Sequence, residues 1–202
     1  MTSKTHIAAG IAITTALIQP NSIKALAICI TTATIGSIIS DIDVTTSESH
    51  KDLIKILTIS IIMIILCSIA DGVFHIGIIA FILKQTNLCR ILIGILAFLL
   101  VCSFGMHKPH RTFMHSVPCV LTLSAIVFLI LPSATFSFGI SMLSHIILDL
   151  FNKKKVQIFY PWDFKFALKF CTANGTVSNL ICSICTALCF IEIGIFISNY
   201  HL

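Results

Sequence analysis

The sequence predicts an all-α protein, a polytopic transmembrane helical bundle with about five to seven membrane segments. Three observations carry that expectation: 57% of the 202 residues are hydrophobic, only 10% are charged, and the apolar residues gather in runs of membrane-crossing length. Soluble domains carry about 25% charged residues, so this chain has too little polar surface to face water on all sides. Helices suit hydrocarbon because each satisfies its own backbone hydrogen bonds.

Hydropathy places seven apolar segments at about 6–19, 25–40, 53–70 (with an extension to 83), 88–106, 116–132, 135–151 and 176–198. The first two are short for full spans, and their Thr14, Thr15, Thr31, Thr32, Thr34 and Gly36 suit close helix packing rather than lipid contact. No internal repeat, heptad pattern or low-complexity linker divides the chain, so residues 1–202 are expected to form a single integral membrane domain. Met1 to Lys4 is a short polar start, and the apolar stretch after it lacks a convincing small-residue cleavage site, so no cleavable signal peptide is expected.

Charge bounds the partners. The net charge of +5 is local in origin, with one dense basic run, Lys153-Lys154-Lys155, directly after an apolar segment. That run reads as an anchor on a lipid surface; the lipid bilayer is the expected partner and nucleic acid is not. The nine cysteines mostly sit inside apolar runs, where Cys behaves as a small hydrophobe. Cys182 and Cys185 form a C-x-x-C, but no second pair or nearby His completes a zinc site.

The stretch 53–83 decides the topology. Read as two spans around Asp71-Gly72, it puts the loops 41–52 and 107–115 on opposite sides; read as one span with a broken, partly re-entrant extension, it puts them on the same side. The second reading collects Lys4, Lys51, Lys55, Lys108, Arg111, Lys153, Lys154, Lys155, Lys165 and Lys169 on one side and leaves Lys24, Lys84 and Arg90 on the other; ten plus three accounts for all 13 basic residues. The positive-inside rule makes the richer side cytoplasmic, with the N-terminus inside and the C-terminus outside.

With that parity, four polar signatures meet at the cytoplasmic face: Thr5-His6, Asp41-Ile42-Asp43, His110 to Ser116, and His145 to Asp149. His145 and Asp149 are spaced i, i+4, so their side chains share a helix face about 6 Å apart at Cβ. Their surroundings are apolar, which makes the pair costly without a partner, and imidazole with carboxylate ligates zinc, manganese or iron. The competing account has a neutral His145 bonded within its helix and Asp149 paired to Lys153 one turn on. Asp41 and Asp43, two residues apart, reach one centre only if the helix ends there; otherwise they are a solvated helix end, with Ser47 capping the next helix. His110 and His115 converge if Pro109 leads a loop that carries His110 while His115 begins the next helix. Arg111 fits either a planar clamp on phosphate or carboxylate or a snorkelling headgroup anchor. His6 is a ligand candidate and His107 a reserve one. His50, His75 and His201 lack such company, and Asp71 and Glu192 read as carboxylates paired between helices.

In that order, together with the tail Leu150-Phe151-Asn152 leading into Val156-Gln157-Ile158-Phe159-Tyr160-Pro161, these residues resemble the bacterial inner-membrane family known as membrane-bound metal-dependent hydrolases (YdjM-like). The resemblance runs from His6 to about Trp162. It implies an inner-membrane hydrolase dependent on a divalent metal, zinc first and manganese or iron as alternatives. His6, Asp41, Asp43, His110, His115, His145 and Asp149 would be ligands, and Asp41, Asp43 and Arg111 would act in catalysis. A more distant similarity is to zinc-dependent phospholipase C, an all-helical fold with His-x3-Asp pairs at a multi-zinc site, which implies phosphoester or lipid-related substrates. Ser40, Thr112 and Met114 depart from the family's usual Pro, Gly and small residue. Two rivals stand beside the enzyme: a metal- or proton-coupled transporter, which needs polar groups through the full membrane depth, and a non-catalytic scaffold with a structural metal.

Overall fold

The computed structural model describes residues 1–75, 77–172 and 175–200. Within them the chain is mostly helical: α1 (Ser3–Ile18), α2 (Ile23–Ile39), α3 (Glu48–Phe74), α4 (Ile78–Lys84), α5 (Thr86–Met106), α6 (Val117–Ile130), α7 (Thr135–Leu150) and α8 (Thr176–Tyr200). Local chemistry sets several starts. The hydroxyls of Thr2, Ser22, Ser47 and Ser116 each accept a hydrogen bond from a first-turn N–H, of Thr5, Ala25, His50 and Cys119 respectively, satisfying donors the helix cannot. A short antiparallel pair, β1 (Val156–Gln157) and β2 (Lys165–Phe166), lies between α7 and α8.

Among the described residues, five stretches are long and apolar enough to cross a membrane: Ile23–Asp43, Glu48–Phe74, Thr86–Met106, Pro132–Leu150 and Thr176–Asn199. The apolar α6 is shorter, at 14 residues, and α1 has 16. The expected segments are therefore all helices, and the architecture is an all-α membrane bundle.

The 53–83 stretch resolves into one 27-residue helix, a break, and the seven-residue α4 leading into α5. His75 ends α3 with φ +50° and Gly77 starts α4 with φ +79°; the left-handed conformation stops a helix and suits glycine. Asp71 thus sits in the last turn of α3, where its Oδ2 accepts from the Ile79 N–H at 3.3 Å. One long helix is thus followed by a broken extension, and a contact between Asp43 and His110 puts loops 41–47 and 107–115 at the same end of the bundle.

At the centre, α1, α2 and α7 pack on one another; α8 lies along α1, and α5 and α6 complete the other flank. Small residues permit the close approach. A Cβ on Gly36 would meet the Phe138 carbonyl oxygen at 2.6 Å, and one on Gly10 would collide with the Ser37 hydroxyl. Leu123, Phe138, Met142 and Ile146 fill the apolar core between α6 and α7. By contrast, α3 buries only His50 and Leu53 and leaves Ile59, Ile61, Met63 and Ile65 exposed, a surface suited to lipid.

Candidate metal centre

The centre forms where α2 ends. The chain leaves α2 as a 3₁₀ turn over Ser40–Asp43, and two side chains from the start of α3 fix that turn. The Ser47 hydroxyl donates to the Asp41 carbonyl at 2.7 Å, and His50 Nδ1 donates to the Ile42 carbonyl. With the helix ended, the two aspartates are free to take different directions. Asp41 turns toward the imidazoles of His115 and His145, whereas the Asp43 carboxylate faces the 107–115 loop.

A second 3₁₀ turn, Phe113–His115, carries His115 to complete burial just before the Ser116 cap starts α6. His110 stands at the rim, and its Nδ1 donates to Asp43 Oδ1 at 2.8 Å. Arg111 takes φ +65°, and its N–H donates to Asp43 Oδ2 at 3.3 Å. On the other wall, the rings of His6 and His145 stack with centroids 3.8 Å apart. His145 Nδ1 donates to the Ser37 carbonyl at 2.6 Å, so its Nε2 is the nitrogen left to face Asp41.

Four nitrogen–oxygen gaps define the interior. His6 Nε2 lies 3.6 Å from Asp149 Oδ1, His145 Nε2 3.5 Å from Asp41 Oδ1, and His115 Nε2 3.7 Å from Asp41 Oδ1 and 3.5 Å from Asp149 Oδ2. These exceed the roughly 3.2 Å limit of ordinary N–H···O bonds. They match the spacing of neighbouring ligands around one ion, because bonds of about 2.1 Å at tetrahedral angles put donor atoms about 3.4 Å apart. Among the described residues, His115 Nδ1, His115 Nε2 and His145 Nε2 are buried with no hydrogen-bond partner, a state that normally costs about 1–3 kcal/mol per group. The donor atoms fall into two triads, His6–His145–Asp149 and Asp41–His110–His115, each with its atoms within 4.8 Å of one another. The residues fit a divalent metal.

Arg111 closes the site from one side. One guanidinium nitrogen pairs with Asp149 Oδ2 at 2.9 Å and another donates to the Lys154 carbonyl at 2.8 Å. At 7% exposure it is not the snorkelling anchor that one reading allowed. Nor does Asp149 pair with Lys153; its partners are Arg111, His6, His115 and the Met1 ammonium. Burial by itself would depress the His115 pKa, but the Asp149 and Asp43 carboxylates, each 3.5 Å away, outweigh it and raise it to about 9. A cavity of about 450 Å³ opens onto this site, lined by Ser3, Asp41, His110, Arg111, Asp149 and Lys153, among others.

The structure thus brings His6, Asp41, Asp43, His110, Arg111, His115, His145 and Asp149 to one place, with one adjustment of role. Asp43 belongs to neither triad and stands behind the imidazoles, where it orients His110 and flanks His115. His107 is exposed and bonded to the Ser103 carbonyl. His75 caps α3, and Glu192 accepts from the Thr15 hydroxyl; His201 lies outside the described residues. Sequence reasoning missed His50, whose hold on the Ile42 carbonyl has no signature beyond its place three residues after the Ser47 cap.

The family model described as YdjM inner membrane protein matches residues 1–200. The chain belongs to that family. The YdjM match takes in helices α1 to α8 and every residue of the centre, and with the long apolar helices it supports a membrane protein. No curated protein and no solved structure matches the chain.

Proposed function

We propose that this YdjM family member is a membrane-bound metal-dependent hydrolase whose centre faces the cytoplasm. The observation that carries the reading is the set of four nitrogen–oxygen gaps of 3.5–3.7 Å around buried imidazole nitrogens. His6, His145 and Asp149, with Asp41, His110 and His115, would hold zinc, or alternatively manganese or iron. A divalent ion there would supply Lewis acidity, polarising a phosphoryl or carbonyl oxygen and lowering the pKa of bound water toward neutral.

The chain's own residues prepare the site. The Ser37 carbonyl fixes the His145 tautomer, and Asp43 does the same for His110; such outer partners keep ligand rings oriented and basic. Arg111 and Lys153 line the cavity beside Asp41 and Asp149, so a substrate with anionic oxygens meets positive charge as it enters. That chemistry suits phosphoesters, including those of lipid headgroups.

The transporter reading has one observation in its favour: Glu192 and Thr15 line a cavity of about 790 Å³ at the opposite end of α1. Between the two ends, however, the hydroxyls of Ser37, Ser141 and Ser144 bond back to carbonyls of their own helices, as packed helical hydroxyls do. The deciding experiment is metal analysis of detergent-purified protein before and after chelation. A hydrolysis screen with phosphomonoester, phosphodiester and ester probes would run beside a proteoliposome flux assay. Chelator-sensitive hydrolysis is the expected result. Metal-dependent flux without hydrolysis of any probe overturns the reading in favour of a transporter, and bound metal with neither activity leaves a scaffold.

A further inference from the structure

Residues 162–170 have a pattern that the metal centre does not use. Trp162, Phe164, Phe166, Leu168 and Phe170 alternate with Asp163, Lys165, Ala167 and Lys169. The five apolar side chains are 52–70% exposed. In water such an exposed run is costly, and within it Lys165–Phe166 is held by pairing with β1.

The segment's height in the bundle is fixed at both ends. The preceding candidate span finishes at Leu150 and the next begins at Thr176. The Leu168 N–H donates to the Leu150 carbonyl at 2.7 Å and the Cys171 N–H to the Phe151 carbonyl at 3.0 Å. The far end of the ribbon is therefore tied to the end of α7, where that helix leaves the apolar layer. Gln157 holds the near end, its side-chain amide donating to the Trp162 carbonyl at 2.8 Å. Between residues 153 and 170 the chain carries five lysines and one aspartate. An aromatic-rich segment at the level where spans end, surrounded by excess positive charge, matches the chemistry of the headgroup layer of an anionic leaflet.

From this we propose that residues 162–170 are a membrane-interface ribbon, whose aromatic side chains sit among the lipid headgroups and upper acyl chains of the leaflet beside the metal centre. The partner is the bilayer itself, anionic lipid in particular. The proposal does not depend on hydrolysis. Where both hold, the ribbon sets the mouth of the cavity, rimmed by Lys153 and Lys154, at the height of lipid headgroups.

Trp162 is the only tryptophan in the chain, so its fluorescence reports on the ribbon without labelling. The full-length protein would be placed in nanodiscs containing anionic lipid, which leave both faces open to solutes. Trp162 emission is then measured with acrylamide as aqueous quencher and with lipids brominated near the headgroup or deep in the tails. The proposal expects emission blue-shifted from that of a free tryptophan amide and a several-fold loss of acrylamide quenching. It also expects stronger quenching by the shallow bromines than by the deep ones. The double variant Phe164→Asp, Phe166→Asp should shift the emission back to the red and restore acrylamide access. Emission and acrylamide quenching equal to the free amide overturn the proposal. Protection from acrylamide without quenching by either brominated lipid also overturns it, and shows that protein covers the ribbon instead.

Discussion

His145 Nδ1 donates to the backbone carbonyl of Ser37 at 2.6 Å, and this bond across two helices decides what the imidazole can do. It holds the ring in one tautomer, with the Nε2 lone pair turned toward Asp41. Asp149, one turn further along α7, enters the same space through both oxygens, Oδ1 toward His6 and Oδ2 toward His115. The approach of α2 to α7 that makes the bond possible depends on Gly36 and its contact with Phe138, so the packing of small residues and the chemistry of the centre are one arrangement.

Removing either member of the α7 pair should remove metal. His145→Ala and Asp149→Asn are expected to lower metal affinity by at least about 10-fold, the scale on which even outer-shell partners act. His107→Ala, an exposed histidine outside both triads, should bind as wild type does. Elemental analysis of the purified proteins after equilibration with equal free zinc is the measurement. Equal metal in all three would mean that the pair is structural.

The second prediction concerns sidedness. Asp43 and His110 share a 2.8 Å hydrogen bond, so the loops that carry them lie at one end of the bundle, and the lysine and arginine distribution predicts that this end is cytoplasmic. Reporters fused after residues 47, 108 and 160 should all report the cytoplasm, and a C-terminal fusion the outside. Opposite results at 47 and 108 would be incompatible with a shared centre.

Much of this was legible in the sequence because the signals were local. Apolar runs gave the helices, the i, i+4 spacing of His145 and Asp149 gave a shared face, and charge parity brought four distant signatures to one end. What was not legible depends on tertiary contact. Asp41 and Asp43 looked equivalent as ligands; they part because Ser47 and His50 grip the intervening carbonyls, and no spacing rule announces a side chain that bonds to backbone eight residues away. Arg111 read equally well as a headgroup anchor, since its burial follows from Lys154 and Asp149 folding over it. The role of residues 162–170 was legible only in part: the lysine run beside them reads as a lipid-surface anchor and the aromatic residues are visible in the sequence, but their height relative to α7 is not.

Protonation should oppose metal binding. His115 has its pKa raised to about 9 in the metal-free protein, and a metal must displace that proton. Affinity should therefore rise with pH up to about 9, by up to about tenfold per unit for this one proton. Stability of the metal-free protein should run the other way. A histidine with a raised folded-state pKa contributes stability that is complete below about 6.5 and is lost as pH climbs through about 9. Metal titrations and thermal denaturation across pH 6–10 would check both signs. A metal affinity that does not vary with pH would mean that no ligand proton is displaced.

Arg111→Lys separates a catalytic role for this residue from a structural one. The guanidinium spans two partners at once, Asp149 Oδ2 at 2.9 Å and the Lys154 carbonyl at 2.8 Å, while its Nε lies 3.4 Å from His110 Nε2. A lysine ammonium keeps the charge but cannot present a planar fork to several acceptors. If Arg111 steadies anionic charge that develops during hydrolysis, turnover should fall by about 10²–10³-fold, the usual scale for losing one preorganised donor. Metal content should stay near wild type, because no arginine atom is a ligand. The measurement is kcat on whichever probe the hydrolysis screen identifies, with metal content determined on the same preparation. Loss of metal in parallel with activity would show that Arg111 holds Asp149 in place for the ion, and unchanged kcat would show that its charge alone suffices.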